Sequence, residues 1–349
     1  MLEYICIYQR TLRPVNPPDI FIVNRKGCNE MKITVIGCGR WGSLITWYLD
    51  RIGHEVTLYG RADDPSMIRF LEERCNDVVT LPESIRLTTD INDVPCGDAV
   101  LISIGSQGLR GLFRELAPLG IKDKIFILCM KGIEIETGAR LSEVTREEVD
   151  PSNKVAVWIG PGHVQEFYAG IPNCMVIDSA DSPTKKMLVN EFSSDLIRFY
   201  FGEDLIGNEI GAAAKNVIGI AAGMLDGVGM NTLKGPLMSR GTREVARLIE
   251  ALGGKGVSAY GLCHLGDYEA TVFSKYSHNR KFGESFVKGE DYKLLAEGYY
   301  TAEAIHRLAE KHNVDMPICE AVYSILYKGV NYRDALDELF GRSLKKELH

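Results

Sequence analysis

Short apolar runs recur between residues 31 and 200, at 33–36, 55–59, 98–104, 125–129, 155–159 and 174–178, each bounded by Gly, Pro or Asp. Runs of this length, closed by turn residues, read as strands. Helical spacing lies between them, as in Leu44, Ile45, Tyr48 and Leu49, and again from Leu109 to Leu116 after Gly105. Strands alternating with helices predict a doubly wound, largely parallel sheet. Near Gly207 the pattern changes to helical segments only, at 208–225, 237–252, 258–263, 292–312, 316–328 and 332–345. The expected organisation is an α/β N-terminal domain over residues 31–205 and an all-α C-terminal domain over 206–345, with a cleft between them suited to a small ligand. Residues 1–30 fit neither domain. They carry Pro14, Pro17 and Pro18 without a clear period, and Ile5 to Tyr8 is too short for a signal-peptide core. A translation start at Met31 after a loosely ordered extension is expected, with a strand over Asp19-Ile-Phe-Ile-Val23 as the competing reading.

The segment Met31-Lys-Ile-Thr-Val-Ile-Gly-Cys-Gly-Arg-Trp-Gly42 gives the first domain a chemistry. An apolar strand runs into Gly37-x-Gly39-x-x-Gly42, a helix follows, and the strand Glu55-Val-Thr-Leu-Tyr59 comes next. In that context the glycines mark a Rossmann-type dinucleotide site. Gly37 permits the tight turn, Gly39 lets the backbone approach a pyrophosphate, and Gly42 lets the helix pack closely. The helix N-terminus offers free N–H groups to the phosphates. At the end of the second strand an NAD-preferring fold places an acid on the ribose. This chain has Tyr59-Gly60-Arg61, which favours NADP or dual use, although Asp63 and Asp64 follow closely.

Composition narrows the setting. Of 349 residues, 45% are hydrophobic and 25% charged, so a sizeable core is available. The net charge of −7 supplies no basic stripe for nucleic acid. Nine scattered cysteines without a C-x-x-C pair suggest neither a disulfide framework nor a zinc site, and favour a reducing cytoplasm. His163, His264 and His278 fit no standard metal spacing. The longest apolar candidate, Val217 to Met224, is too short to span a membrane and is interrupted by Gly219 and Gly223.

Three clusters are candidates for chemistry. Lys215 has Gly211, Ala212, Ile218, Gly219 and Ala222 as its helical neighbours. This face of small residues allows another backbone or a ligand to approach. A lysine desolvated there has a lowered pKa suited to proton transfer, whereas a surface lysine snorkelling from an Ala-rich helix is the alternative. Lys131-Gly132-Ile-Glu134 follows a buried strand, where open α/β sheets bind ligands, and Gly160-Pro161-Gly162 holds the equivalent place one strand later. The third cluster runs from Gly266-Asp267 and Thr271 to Ser277-His-Asn-Arg-Lys-Phe-Gly283. Asp267 suits a lysine ammonium or a hydroxyl. Asn279 and Arg280 suit a phosphate, or the segment is a solvated loop.

In this order the motifs resemble the NAD(P)-dependent glycerol-3-phosphate dehydrogenases of bacterial type. The resemblance covers about residues 31–345 and rests on Gly37 to Gly42, Lys131-Gly-Ile-Glu134, Gly160-Pro161, Ala214-Lys-Asn-Val217, Gly266-Asp267 with Thr271, and Ser277-x-Asn279-Arg280-x-Phe282-Gly283. It implies a 6-phosphogluconate dehydrogenase-like fold and reversible reduction of dihydroxyacetone phosphate to sn-glycerol 3-phosphate, supplying glycerophospholipid synthesis. Lys215 matches the general acid/base, with Lys131 and Asp267 positioning it and the substrate. The resemblance implies cofactor contacts at Gly37, Gly39, Arg40, Trp41, Gly42, Arg61, Lys131, Val164, His278 and Glu297. It implies substrate contacts at Lys131, Gly160, Gly162, Asn216, Asp267, Thr271, Ser277, His278, Asn279 and Arg280. NADP or NAD is the expected cofactor, with no metal, and a homodimer is compatible.

Three departures accompany the match. The family's Gly-Pro-Ser-Phe-Ala is Gly160-Pro-Gly-His-Val164 here, so Gly162 replaces a serine contact. His278 stands where the family has an arginine between Ser and Asn, and a neutral imidazole is a weaker anion partner. The family's Gly-Leu-Gly-Asp-Leu is Cys263-His-Leu-Gly-Asp-Tyr268. Two other functions stay open: a related ketopantoate-type reductase of another small keto or hydroxy acid, and a non-catalytic NADPH-binding relative.

Overall fold

The computed structural model describes residues 30–344, 346 and 347, so the extension and its Asp19–Val23 run lie outside the described residues. β1 (Lys32–Ile36), α1 (Arg40–Arg51) and β2 (Glu55–Tyr59) form where the apolar pattern places them. α2 (Pro65–Glu73), β3 (Arg86–Thr88), β4 (Ala99–Ile102), α3 (Leu109–Leu116), β5 (Ile125–Leu128), α4 (Leu141–Glu148) and β6 (Lys154–Ile159) follow. A short α5 (Val164–Tyr168), β7 (Asn173–Ser179), α6 (Ser182–Phe192) and β8 (Ile197–Phe201) complete one sheet of order β3-β2-β1-β4-β5-β6-β7-β8. β6 and β7 pair antiparallel and every other neighbour pair is parallel.

Two strands are additional to the expected six. β3 spans three residues, too few to show alternation. β8 reads Ile-Arg-Phe-Tyr-Phe at the sheet edge, with Tyr200 and Phe201 exposed, and runs up to the helical boundary. β7 turns back because residues 160–172 hold only the five-residue α5 and stay at one end of the sheet. The strand order reverses between β1 and β4. This places the carboxyl ends of β1, β2, β4, β5 and β6 around one crevice, where doubly wound sheets bind ligands.

The second part is built on α7 (Leu205–Gly227), followed by α8 (Lys234–Ala251), α9 (His278–Lys288), α10 (Glu297–His312), α11 (Pro317–Lys328) and α12 (Tyr332–Gly341). The helix expected at 258–263 is a 3-10 turn, Gly256–Tyr260. The segment from residue 277, expected as a phosphate-binding cluster or a solvated loop, is folded as the capped helix α9. The Ser277 hydroxyl accepts the Arg280 N–H, and Gly289 at φ +71° ends the helix. The polar His-Asn-Arg-Lys start conceals that helix from periodicity. No helix among the described residues is long and apolar enough to cross a membrane. The seven described cysteines are free.

α7 is buried on almost every side from Gly207 to Met224, which is why its sequence lacks a polar face. Its first turns dock on the sheet. Arg140 donates to Glu209 at 2.5 Å, and the Ser142 N–H and hydroxyl donate to the same carboxylate at 2.9 and 2.7 Å. Its later turns meet α9 through glycine. A Cβ on Gly223 would lie 1.8 Å from the Arg280 carbonyl oxygen, and one on Gly283 would lie 2.1 Å from that of Ile220. On the small-residue face predicted around Lys215, Gly219 faces the Thr271 side chain and Gly211 faces His264, and the backbone contact comes one turn further on, at Gly223. Gly223→Ala forces these helices apart and is expected to lower the unfolding free energy by about 1–3 kcal/mol. Urea denaturation measures this, and an unchanged midpoint would show that the contact yields freely.

Candidate active site

The glycine turn has the form a dinucleotide requires. Gly37 sits at φ +109°, and a Cβ there would meet the Ser103 carbonyl oxygen at 2.2 Å. A Cβ on Gly42 would lie 1.9 Å from the Gly37 oxygen, so α1 packs directly on the turn. At Gly39 a Cβ would meet nothing within 4 Å, and no side chain caps the helix that starts there. The first-turn N–H groups of α1 thus face open space on the side a pyrophosphate would take. Arg40 is exposed, Trp41 packs on Phe167 with centroids 6.1 Å apart, and Arg61 is exposed and paired with Glu115 at 2.5 Å. Glu297, at the start of α10, accepts the Ser106 N–H at 3.0 Å and its hydroxyl at 2.5 Å. Burial raises the Glu297 pKa against the opposing pull of these bonds. Ser106 escaped the sequence reading. Its only signal was Gly105 at the end of a strand-like run.

Across the crevice three groups converge. Lys131 follows β5, Lys215 projects from mid-α7, and Asp267 ends the 3-10 turn Leu265–Asp267. Asp267 Oδ2 lies 2.6 Å from Lys215 Nζ and 2.8 Å from Lys131 Nζ. Lys131 also donates to the Gly160 carbonyl at 2.6 Å, and Lys215 to the Thr271 hydroxyl at 2.8 Å. Thr271 lies in a π-helical turn, Glu269–Phe273, a local distortion frequent at functional sites. Lys215 is 7% exposed, which removes the snorkelling alternative. Its burial pulls the pKa down to about 7, with Asp267 opposing and Lys131 reinforcing the shift. Asp267 Oδ1 is sealed from solvent and has no hydrogen-bond partner.

Asparagines extend this centre toward α9. Asn216 donates to the Lys131 carbonyl at 3.4 Å, a long contact, and Asn279 donates to the Asn216 side chain at 3.0 Å. The Asn279 side-chain oxygen accepts the Gly298 N–H at 2.8 Å. His278, at the start of α9, touches Arg40 at 3.2 Å and the Tyr292 hydroxyl at 2.6 Å. Burial, then Arg40 and Lys281, lower its pKa, so the imidazole is neutral. Arg280 corrects one expectation. Its guanidinium is held by Asp226 at 2.8 Å and Glu284 at 2.9 Å, bracing α7 against α9 instead of standing free for an anion. The other histidines have separate surroundings. His264 bonds the Gly211 carbonyl and the Tyr268 hydroxyl, and burial pushes its pKa down to about 4. His163 packs edge-on against Tyr276.

Comparison with known proteins places this geometry. Residues 32–185 match the family model for the NAD-dependent glycerol-3-phosphate dehydrogenase N-terminus, and residues 204–337 match the corresponding C-terminus. The chain belongs to the NAD(P)-dependent glycerol-3-phosphate dehydrogenase family. It is 35% identical over 331 residues to a glycerol-3-phosphate dehydrogenase [NAD(P)+] of Thermoanaerobacter sp., covering 91% of this chain and 99% of that one. The glycerol-3-phosphate dehydrogenase crystal structure from Coxiella burnetii superimposes with a TM-score of 0.84 at 28% identity, covering 90% and 99% of the two chains. A probable 2-dehydropantoate 2-reductase from Bacillus subtilis shares only the fold, at a TM-score of 0.55 and 15% identity, covering 85% of this chain and 99% of that one.

Within this family Gly162 is a departure with a physical cause. It sits at φ +140°, and a Cβ there would lie 2.2 Å from the Phe167 ring. Gly162→Ser, the residue that the resemblance leads one to expect here, should cost roughly 1–3 kcal/mol of stability through strain. It should not improve turnover. Thermal unfolding together with a steady-state rate decides, and a stable, faster variant would show that the turn adapts to a side chain.

Proposed function

We propose that this dehydrogenase reduces dihydroxyacetone phosphate reversibly to sn-glycerol 3-phosphate with NADPH or NADH, supplying glycerophospholipid synthesis. One observation carries the reading: a single buried carboxylate oxygen holds two lysine ammoniums at the carboxyl end of a sheet that also presents the glycine turn. The proposed division of labour gives the dinucleotide to residues 31–205 and the substrate chiefly to 206–345. Gly37, Gly39, Gly42, Arg40, Trp41, Arg61, Val164 and Glu297 would hold the cofactor, with Lys131 and His278 at its reactive end.

The bound nicotinamide supplies the hydride. Lys215 delivers a proton to the alkoxide oxygen formed at C2, and takes the hydroxyl proton in the reverse direction. Lys131 and Asp267 fix the position of that ammonium, and the positive charge of the two lysines stabilises the developing oxyanion. Ser277, Asn279 and the start of α9 receive the phosphate, with Gly160, Gly162, Asn216 and Thr271 lining the rest. A small phosphorylated substrate, a homodimer and a cytoplasmic setting complete the proposal. The ketopantoate-type alternative has only fold-level support.

Rapid oxidation of NADPH or NADH at 340 nm with dihydroxyacetone phosphate, and none with 2-keto acids, is the expected result; the opposite pattern refutes the reading. Lys215→Met should lower kcat by about two to four orders of magnitude while cofactor binding persists. The pH dependence has a definite sign. Reduction needs the Lys215 ammonium, so its kcat falls as pH rises through about 7, whereas oxidation needs the free amine and gains over the same range. Identical profiles in both directions would remove Lys215 from the proton transfer.

A further inference from the structure

Asp267 Oδ1 is one buried polar atom beside the lysines without a hydrogen-bond partner, and His163 Nε2, on a ring that feels the charges of Lys215, Asp267 and Lys131, is a second. His163 follows Gly162, whose strained turn excludes a side chain, so the lining of this turn passes to the next residue. Its backbone is extended at φ −119° and ψ 140°, it heads α5, and its side chain makes no capping bond there. The ring packs against Tyr276 at 5.4 Å, edge to face, immediately before Ser277. We infer that His163 is a specificity-determining residue, its Nε2 hydrogen-bonding the free hydroxymethyl end of the substrate and replacing the contact that Gly162 cannot make. This inference rests on the proposed reduction of dihydroxyacetone phosphate.

The choice of the hydroxyl end over the phosphate follows from charge. The groups acting on His163 are Glu166 on its own helix, Lys215 from α7, Asp267 from the 3-10 turn and Lys131 after β5. Burial is the largest influence and, with the two lysines, outweighs the two carboxylates, keeping the ring neutral. A neutral imidazole offers one donor and one acceptor, which suits a hydroxyl, whereas a phosphate is better served by cationic donors. Sites built to hydrogen-bond a substrate hydroxyl reject the analogue lacking it, because the buried polar group is then left unpaired.

The test compares dihydroxyacetone phosphate with hydroxyacetone phosphate, which carries a methyl group in place of the hydroxymethyl. Wild-type protein should prefer the former in kcat/KM, and His163→Phe should lose about tenfold or more of that preference, chiefly through KM. His163→Gln, which keeps a polar tip, should retain part of it. NADPH affinity, read by fluorescence titration, should be unchanged in both variants. A preference equal to wild type in both variants, or equal losses on both substrates, overturns the assignment. Wild-type protein inert toward dihydroxyacetone phosphate but active on another carbonyl substrate instead overturns the proposed reaction, a result the wild-type rates alone reveal.

Discussion

One oxygen, Asp267 Oδ2, binds ammonium groups from two separate parts of the chain, and the position of everything else in the crevice follows from it. Asp267 is fully buried, so neither it nor Lys215 has water to replace a lost partner. In such surroundings a charge pair attracts strongly, but each ion also carries a large desolvation cost, and removing one member leaves the others uncompensated. The cluster counts two cations against one anion. This excess positive charge is what suits the site, in the proposed reaction, to an anionic substrate and an oxyanion. It also explains why burial can pull the Lys215 pKa down while the ion pair stays intact: the second ammonium occupies the same carboxylate oxygen.

α7 makes that arrangement possible. Glu209 near its start is clamped by Arg140 and Ser142 from the sheet-containing part, fixing the helix axis against the sheet. Two turns later Lys215 and Asn216 face the crevice. Beyond them Gly223 lets α9 approach to backbone contact, which brings Asn279 within 3.0 Å of Asn216. A larger residue at Gly223 would displace Asn279 together with the helix carrying it. The same small residues that gave this helix an unusual composition therefore set the distance between the lysine proposed for proton transfer and the residues proposed for phosphate.

Such small-residue patterns are legible in a sequence because backbone proximity leaves few alternatives to glycine. The turn from Gly37 to Gly42, the strands before it and after it, and the unusual surroundings of Lys215 were all readable for that reason. Lys131 and Asp267 were readable as candidates from their places beside turns, but their shared oxygen was not, since residues 136 positions apart carry no local signal of each other. α9 was hidden because its cap and polar first turn look like a loop. The bracing role of Arg280 was not legible because Asp226, its partner, lies 54 residues away on a helix whose neighbour was unassigned. β3 and β8 depend on pairing with an existing sheet rather than on their own few residues.

The two substrate-side departures differ in their surroundings. His278 lies at a half-buried helix start, whereas Gly162 sits in a turn whose φ of +140° and contact with the Phe167 ring exclude a side chain. At 278 a permanent cation is replaced by a ring that burial and two neighbouring cations keep neutral. Yet Arg40, from the glycine turn opposite, brings its guanidinium to within 3.2 Å of that ring. A cation from the dinucleotide side of the crevice thus stands beside the neutral ring. No such transfer is open to Lys215 or Asp267. Both are buried, each holds a hydrogen bond that fixes the other, and a substitute of different length would leave a buried charge unpaired. Burial thus makes Lys215 and Asp267 the positions least able to accept a substitution.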